Sequence, residues 1–208
     1  MSIFNYIYNL ILLFSKPIIM QLSNAFSDAC VALSSLFVFV HFFSRIPFNN
    51  RLLWGTFFAI TAIAATTGVC RFLGMNQLKP LHESLTLLAG TAGVIALLAG
   101  IWVNVSQTTA SKILLISSLT LGLLIFIILL DPTLKPFKEV IPALGMLIGM
   151  LFAVWGLMRK CKKAIWIIAG IMIVGIATKV MEKHIPFDPT DVYHYALVAM
   201  VWCFGKSV

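Results

Sequence analysis

Charge is what this chain has least of. Only 11% of its 208 residues are Asp, Glu, Lys or Arg, and Asp and Glu together number seven. Soluble domains carry roughly a quarter of their residues as charges, so this shortage excludes an ordinary soluble domain. The length leaves no room for a second, soluble module. Cysteine is also sparse, with four residues, Cys30, Cys70, Cys161 and Cys203. Their spacings fit no zinc or haem motif, and they read as small buried hydrophobes. Cys161, inside the basic run Arg159-Lys160-Cys161-Lys162-Lys163, is open to reversible acylation. Cys30 and Cys70 fall at similar depth, which leaves a disulfide or a metal role open. The chain has no phosphate-binding glycine loop, no dinucleotide motif, no HExxH and no Gly-x-Ser-x-Gly. Nucleotide-driven chemistry and serine-hydrolase chemistry of the nucleophile-elbow kind are therefore excluded.

What fills the chain is apolar. Hydrophobic residues make up 61% of it, and the mean hydropathy is +1.02. A membrane span needs about 20 mostly apolar residues. Seven stretches qualify: 23–43, 52–73, 81–103, 110–130, 137–158, 164–182 and 190–206. The expectation is an all-α integral membrane protein, a seven-transmembrane helix bundle over residues 23–206. Short connections carry the breaks: Pro47 with Asn49-Asn50, Gly74 to Pro80, Asp131-Pro132, the basic run, and Ile185 to Pro189. No fixed-period repeat is present. Gly90/Gly93 and Gly145/Gly149 are small residues at helical spacing, which favours close helix packing. Residues 1–22 form a short apolar N-terminal segment, read as an interfacial helix or a marginal extra span. Lys16-Pro17 and the lack of a basic start argue against an ordinary signal peptide.

The formal charge of +8 does not point to nucleic acid. The bases sit in short loops between apolar runs, where they set topology and meet anionic headgroups. Arg45 and Arg51, Lys112, and the four bases of 159–163 fall on one side. Arg71, Lys79, Lys135, Lys138 and Lys183 fall on the other, mixed with Asp131, Glu139, Glu182 and Asp188. The dense cluster is expected in the cytoplasm, which puts the N-terminus outside and the C-terminus inside. Membrane lipids are the expected partners.

The few remaining ionisable groups fall near one face of the bilayer. Asp28 lies in the first turns of span one, Arg71 at the end of span two, His82 and Glu83 at the start of span three, and Asp191 and His194 at the start of span seven. Asn24, Asp28 and Ser35 share a helical face; so do Thr67 and Arg71, and His82, Thr86 and Gly90. Lys179 lies one turn inside span six. Ionisable groups at membrane depth are costly and mark sites when they converge. Plainer readings stand beside this one. Asp188-Pro189-Thr190-Asp191 is a helix start, Glu83 suits a first helical turn, and Arg71 and Lys79 can reach headgroups. His41 and His184 read as interfacial. His194 sits a full turn inside an apolar helix and needs a polar partner.

Two chemistries fit this constellation. In one, His82, Asp191 and His194, with Asp28 or Glu83, hold a divalent ion such as zinc. A carboxylate then takes the proton of its water, while Arg71 or Ser27 stabilises an oxyanion. In the other there is no metal: Arg71 pairs with Asp28 and Glu83, His194 pairs with Asp191, and the pocket binds a headgroup or holds the bundle together.

The Ser27-Asp28 pair opening the first span, the polar end of the second, and Asp191-Val192-Tyr193-His194-Tyr195-Ala196-Leu197 opening the last resemble the superfamily of alkaline ceramidases and progestin–adipose receptors. That resemblance implies a seven-span bundle and a membrane lipid hydrolase that cleaves amides or esters with zinc held by histidines, a serine and an aspartate standing near the metal-bound water. A degenerate lipid-binding relative would share the pattern. Where that superfamily's last helix carries His-x-x-x-His, this chain has Val198 four residues after His194. The alternative is a non-enzymatic membrane protein, a binder of lipid or small ligand or a subunit of a membrane complex.

Overall fold

The computed structural model describes the backbone of residues 3–134, 136–181 and 188–208, and the side chains of residues 20–134, 136–179 and 188–208. Lys135, Glu182, Lys183 and His184, used above for charge and interface, lie outside the described side chains. The described residues form helices and no strand. In chain order they are α1 (Ile3–Phe43), α2 (Phe48–Phe72), α3 (Lys79–Leu88), α4 (Val94–Val105), α5 (Lys112–Leu129), α6 (Phe137–Met158), α7 (Ala164–Met181) and α8 (Pro189–Lys206). A π-helical turn, Ala89–Gly93, joins α3 to α4, so the two run together as one long segment. Five segments are long and apolar enough to cross a membrane: Met20–Phe43, Phe48–Phe72, Asn76–Val105, Lys112–Leu129 and Phe137–Met158, with Ala164–Lys179 as a shorter apolar helix. These helices make the chain a multi-pass membrane protein. The backbone of the N-terminal segment continues into α1 without a break.

Local chemistry sets the helix ends. Pro47 precedes α2 in an extended conformation. Asn49 Nδ2 donates to the Ala110 carbonyl at 2.9 Å, and the Ala110 N–H donates to Asn50 Oδ1 at 2.7 Å; these bonds pin the start of α2 to the α4–α5 loop. Gly74, at φ +107, reverses the chain after α2, a conformation that costs glycine little. Ser111 caps α5 by accepting from Leu114 N–H. Asp131 accepts the backbone N–H and hydroxyl of Thr133 after α5, and these bonds hold its carboxyl below the usual carboxylate range, the backbone N–H most of all. Asp188 accepts from Thr190 N–H at 2.8 Å with Pro189 in the first turn, which starts α8 as expected.

Between apolar helices in lipid, close packing replaces the hydrophobic effect as the cohesive term. Glycines make that packing possible. A Cβ at Gly145 would stand 2.2 Å from Val94 Cγ1, and one at Gly156 2.8 Å from Val105 Cβ, so α6 lies directly on α4. A Cβ at Gly90 would meet the Pro142 ring at 3.6 Å, an ordinary contact. α1 packs on α2 and α8, and α7 on α8. At the end carrying the 159–163 loop, Phe43, Trp54, Phe58 and Phe204 are almost fully buried. Their rings meet at 5.1 Å (Phe43–Trp54), 5.2 Å (Phe43–Phe58) and 5.8 Å (Trp54–Phe204). This aromatic plug fixes the relative rotation of α1, α2 and α8, and therefore which of their side chains meet at the other end.

Candidate functional site

At that other end the polar residues of α1 and α8 form one connected network. α8 begins at Pro189, so Asp191 and His194, three residues apart, point from its first turns towards α1. On α1, Ser23, Ser27 and Asp28 face them. Ser27 Oγ lies 2.6 Å from Asp191 Oδ1 and 2.9 Å from His194 Nδ1. Ser23 donates its hydroxyl to the other Asp191 oxygen. His194 Nε2 lies 3.4 Å from Asp28 Oδ1. Ser27 is 0% exposed, Asp28 2% and Asp191 8%.

Counting protons orders the network. Ser27 has one hydroxyl proton, and the short contact to Asp191 is a charge-assisted bond. Ser27 Oγ then accepts from His194 Nδ1–H. The other ring nitrogen of His194, Nε2, faces Asp28 Oδ1, and one proton lies between them. His194 is thus held from both sides, and one oxygen of Asp28 is committed to it. The second, Asp28 Oδ2, is buried with no hydrogen-bond partner.

That second oxygen lies against α2. A Cβ at Gly68 would stand 2.1 Å from Asp28 Oδ2 and 3.0 Å from His82 Cε1. Gly68 is therefore the reason Asp28 and His82 approach the same point. His82 Nδ1 is 3.0 Å from the Ala64 carbonyl; a carbonyl only accepts, so Nδ1 carries a proton and donates it. Asn24, one turn before Asp28, reaches Asp188 at 3.5 Å through Nδ2, and its Oδ1 is buried without a partner.

The expected residues divide clearly. Ser27, Asp28, His82, Asp191 and His194 converge. Glu83 does not: its side chain is 62% exposed and pairs at 4.0 Å with Lys79, one turn earlier, because the face of α3 that carries His82 inward turns the next residue outward. Arg71 contributes its field at Asp28, but among the described residues no ion pair joins the two; its guanidinium lies 5.0 Å over the Phe72 ring. The pairing of Arg71 with Asp28 and Glu83 is thus replaced by pairing of Asp28 with His194. Thr67 and Thr86 bond to their own helices. Ser23 and Gly68 were not singled out from sequence. Ser23 stands four residues before Ser27, on the same face, and Gly68 three before Arg71; those spacings were the available signal.

As a metal set, His82, Asp191 and His194 are not gathered. Asp191 gives both oxygens to serines, and among the described residues no three His, Cys, Asp or Glu side chains group to hold an ion. The four cysteines are free thiols.

Apolar helices with a buried Ser–His–Asp network between α1 and α8 define a multi-pass, all-helical membrane protein with a polar centre at one end of its helix bundle. The chain belongs to DUF6962, a family of unknown function, which it matches over residues 23–208. No curated protein and no solved structure matches it.

Proposed function

We propose that this is a seven-span membrane lipid hydrolase of ceramidase-like type, cleaving an amide or ester near the outer headgroup level. Support for two spans beyond the five comes from the chain end. Lys163, in the α6–α7 loop, donates to the Val208 carbonyl, and Asn104, near the end of α4, donates to the Ser207 carbonyl at 2.9 Å. α7 and α8 therefore leave and return to the same end, as two crossings would. The basic 159–163 loop is assigned to the cytoplasm, with the N-terminus outside.

One observation carries the catalytic reading: a buried carboxylate with one oxygen held by His194 and the other unpartnered. Asp28 is the general base. Oδ2 takes a proton from a water that adds to the acyl carbon, and that proton passes to the departing amine or alkoxide. His194 orients Asp28, Ser27 and Asp191 orient His194, and Arg71 supplies positive charge for the developing oxyanion. Commitment of the Ser27 hydroxyl to Asp191 favours this supporting role over nucleophilic attack. It is also what favours the second reading, a lipid-binding relative in which the same bonds clamp α8 to α1.

The test is turnover of N-acyl amino alcohols and ester lipids by the purified protein in mixed micelles. Asp28→Asn is expected to lower turnover about a hundred- to ten-thousand-fold, the usual worth of a general base, with Glu83→Gln unchanged. No turnover across the panel by the wild-type protein would leave the lipid-binding reading. Elemental analysis addresses the zinc implied by the resemblance. Near-stoichiometric zinc, lost in His82→Ala/His194→Ala, would replace the water-only route with a metal-assisted one.

A further inference from the structure

The last turns of α1 and the turn after it form an open cavity of about 600 Å³, lined by Phe37, Val40, His41, Phe42, Ser44 and Arg45. The cavity straddles the end of a span. Phe37 to Phe42 belong to the apolar segment Met20–Phe43, and Ser44 and Arg45 follow it. Rings build its inner wall. His41 stacks on Phe37 at 5.5 Å and packs edge-on with Phe42 at 4.8 Å. Both phenylalanines meet Trp202 of α8, at 5.6 and 6.2 Å. The imidazole is thereby fixed, while neither of its nitrogens makes a hydrogen bond among the described residues. Phe37 and Val40, 54% and 68% exposed, turn outwards to the acyl chains.

Charge at this end has one sign. The segments 37–54, 103–115, 155–166 and 200–208 meet here, joined by the Asn49–Ala110, Asn104–Ser207 and Lys163–Val208 bonds. They hold Arg45, Arg51, Lys112, Lys206 and the bases of 159–163, and no Asp or Glu. Several of these cations are engaged. Arg51 lies over Phe48, Arg159 over Trp155 and Lys206 over Trp166, and Lys163 donates to the Val208 carbonyl. Arg45 has no such partner among the described residues, and it lines the cavity. A guanidinium offers a phosphate two parallel N–H donors. A histidine ring donates from at least one nitrogen in either protonation state, and a serine hydroxyl donates as well. We propose that this cavity binds an anionic phospholipid, its phosphate on Arg45, His41 and Ser44 and an acyl chain along Phe37 and Val40. The rings favour a lipid over free phosphate, because they lie inside the span. A zwitterionic headgroup would set its own cation among these bases, a like-charge contact of the kind that rejects partners. The carbonyl end of α1 disfavours an anion by itself, so the side-chain cations must carry the binding. The cavity is at the opposite end of α1 from Asp28 and does not depend on the reading of that centre.

The experiment is equilibrium binding by native mass spectrometry of the full chain, with phosphatidylglycerol and phosphatidylcholine of matched acyl chains as probes. Phosphatidylglycerol is expected to bind at least about tenfold more tightly, the worth of one charge-assisted hydrogen bond. Arg45→Gln is expected to remove most of that preference, and Arg45→Lys to keep part of it. His41→Leu, which removes both ring nitrogens and keeps an apolar side chain against Phe37, is expected to weaken phosphatidylglycerol binding several-fold. Lys162→Gln deletes an equal charge from an exposed residue outside the cavity and is expected to leave the preference intact. Equal binding of the two lipids would overturn the proposal. So would equal losses from Arg45→Gln and Lys162→Gln, the signature of a diffuse basic face without a site. Displacement of the lipid by inorganic phosphate at equal concentration would also overturn it, since the cavity would then be a phosphate site.

Discussion

Gly68 is the residue on which the geometry turns. Its Cα is where α2 meets the Asp28 carboxylate, and a methyl there would lie 2.1 Å from Oδ2. Gly68→Ala is expected to push Asp28 off His194 and to remove most of the activity, with helical circular dichroism unchanged. Asp28→Ala frees that space, so the double variant should be no less stable than Asp28→Ala alone. The coupling between the two sites is expected to be about 1 kcal/mol or more, within the range for directly touching residues. An additive pair would mean that Gly68 does not position Asp28. At this scale the sequence was informative where spacing along one helix sufficed. Asp191 and His194 had to share a face, and an ionisable pair inside apolar helices had to find partners, which turned out to be Ser27 and Asp28. It was not informative for Glu83, Arg71 or Gly68, because their roles depend on how α2 and α3 are rotated about their own axes. That rotation is set by packing at the far end, around Trp54 and Phe58, which no local pattern records.

Between helices, the glycines separate into two kinds, and substitution should tell them apart. Gly122 on α5 sits against the π-helical turn, where a Cβ would stand 2.5 Å from the Ala92 Cα. That neighbour is backbone and cannot swing aside, so Gly122→Ala is expected to cost roughly 1–3 kcal/mol, as overpacking does. Gly175 on α7 has nothing within 4 Å of the same position. Gly175→Ala should therefore gain up to about 1 kcal/mol from helix propensity. Unfolding midpoints in mixed detergent check both; a neutral Gly122→Ala would mean that α5 stands off the turn. The close-packing role of Gly145 was readable from its spacing, whereas the π-helical turn was not. It adds a residue within a continuous apolar run and leaves no mark in the hydropathy. The run of 81–103 therefore reads as one helix, although the chain passes through α3, the turn and α4. The turn also carries Thr91, fully buried, whose hydroxyl bonds back to Leu87.

For the molecule as a whole, the number of crossings decides whether the polar centre can lie at one membrane face at all. The five qualifying segments came directly from hydropathy, which is strong because lipid leaves no other partner for backbone polar groups. α8 is less evident, since its first turns hold Thr190, Asp191 and His194, the residues that make the site. Labelling tests the count without assuming an orientation. In a background lacking the native cysteines, Lys162→Cys and Thr133→Cys are separated by α6 alone, so an impermeant maleimide on intact cells should reach one and not the other. Thr133 and Met75, two crossings apart, should behave alike, and so should Lys162 and Ser44, four apart. The positive-inside bias of 159–163 adds the sign: Thr133→Cys and Met75→Cys are expected to label, and Lys162→Cys and Ser44→Cys to be shielded. The reverse pattern would invert the protein and put Asp28 and His194 at the cytoplasmic headgroups, leaving their mutual geometry as it is. Equal labelling of residues 133 and 162 would instead remove α6 as a span. α7 would then begin on the side of Thr133 and α8 on the opposite side, and no pairing of α8 with α1 at the site end would be possible in a bilayer.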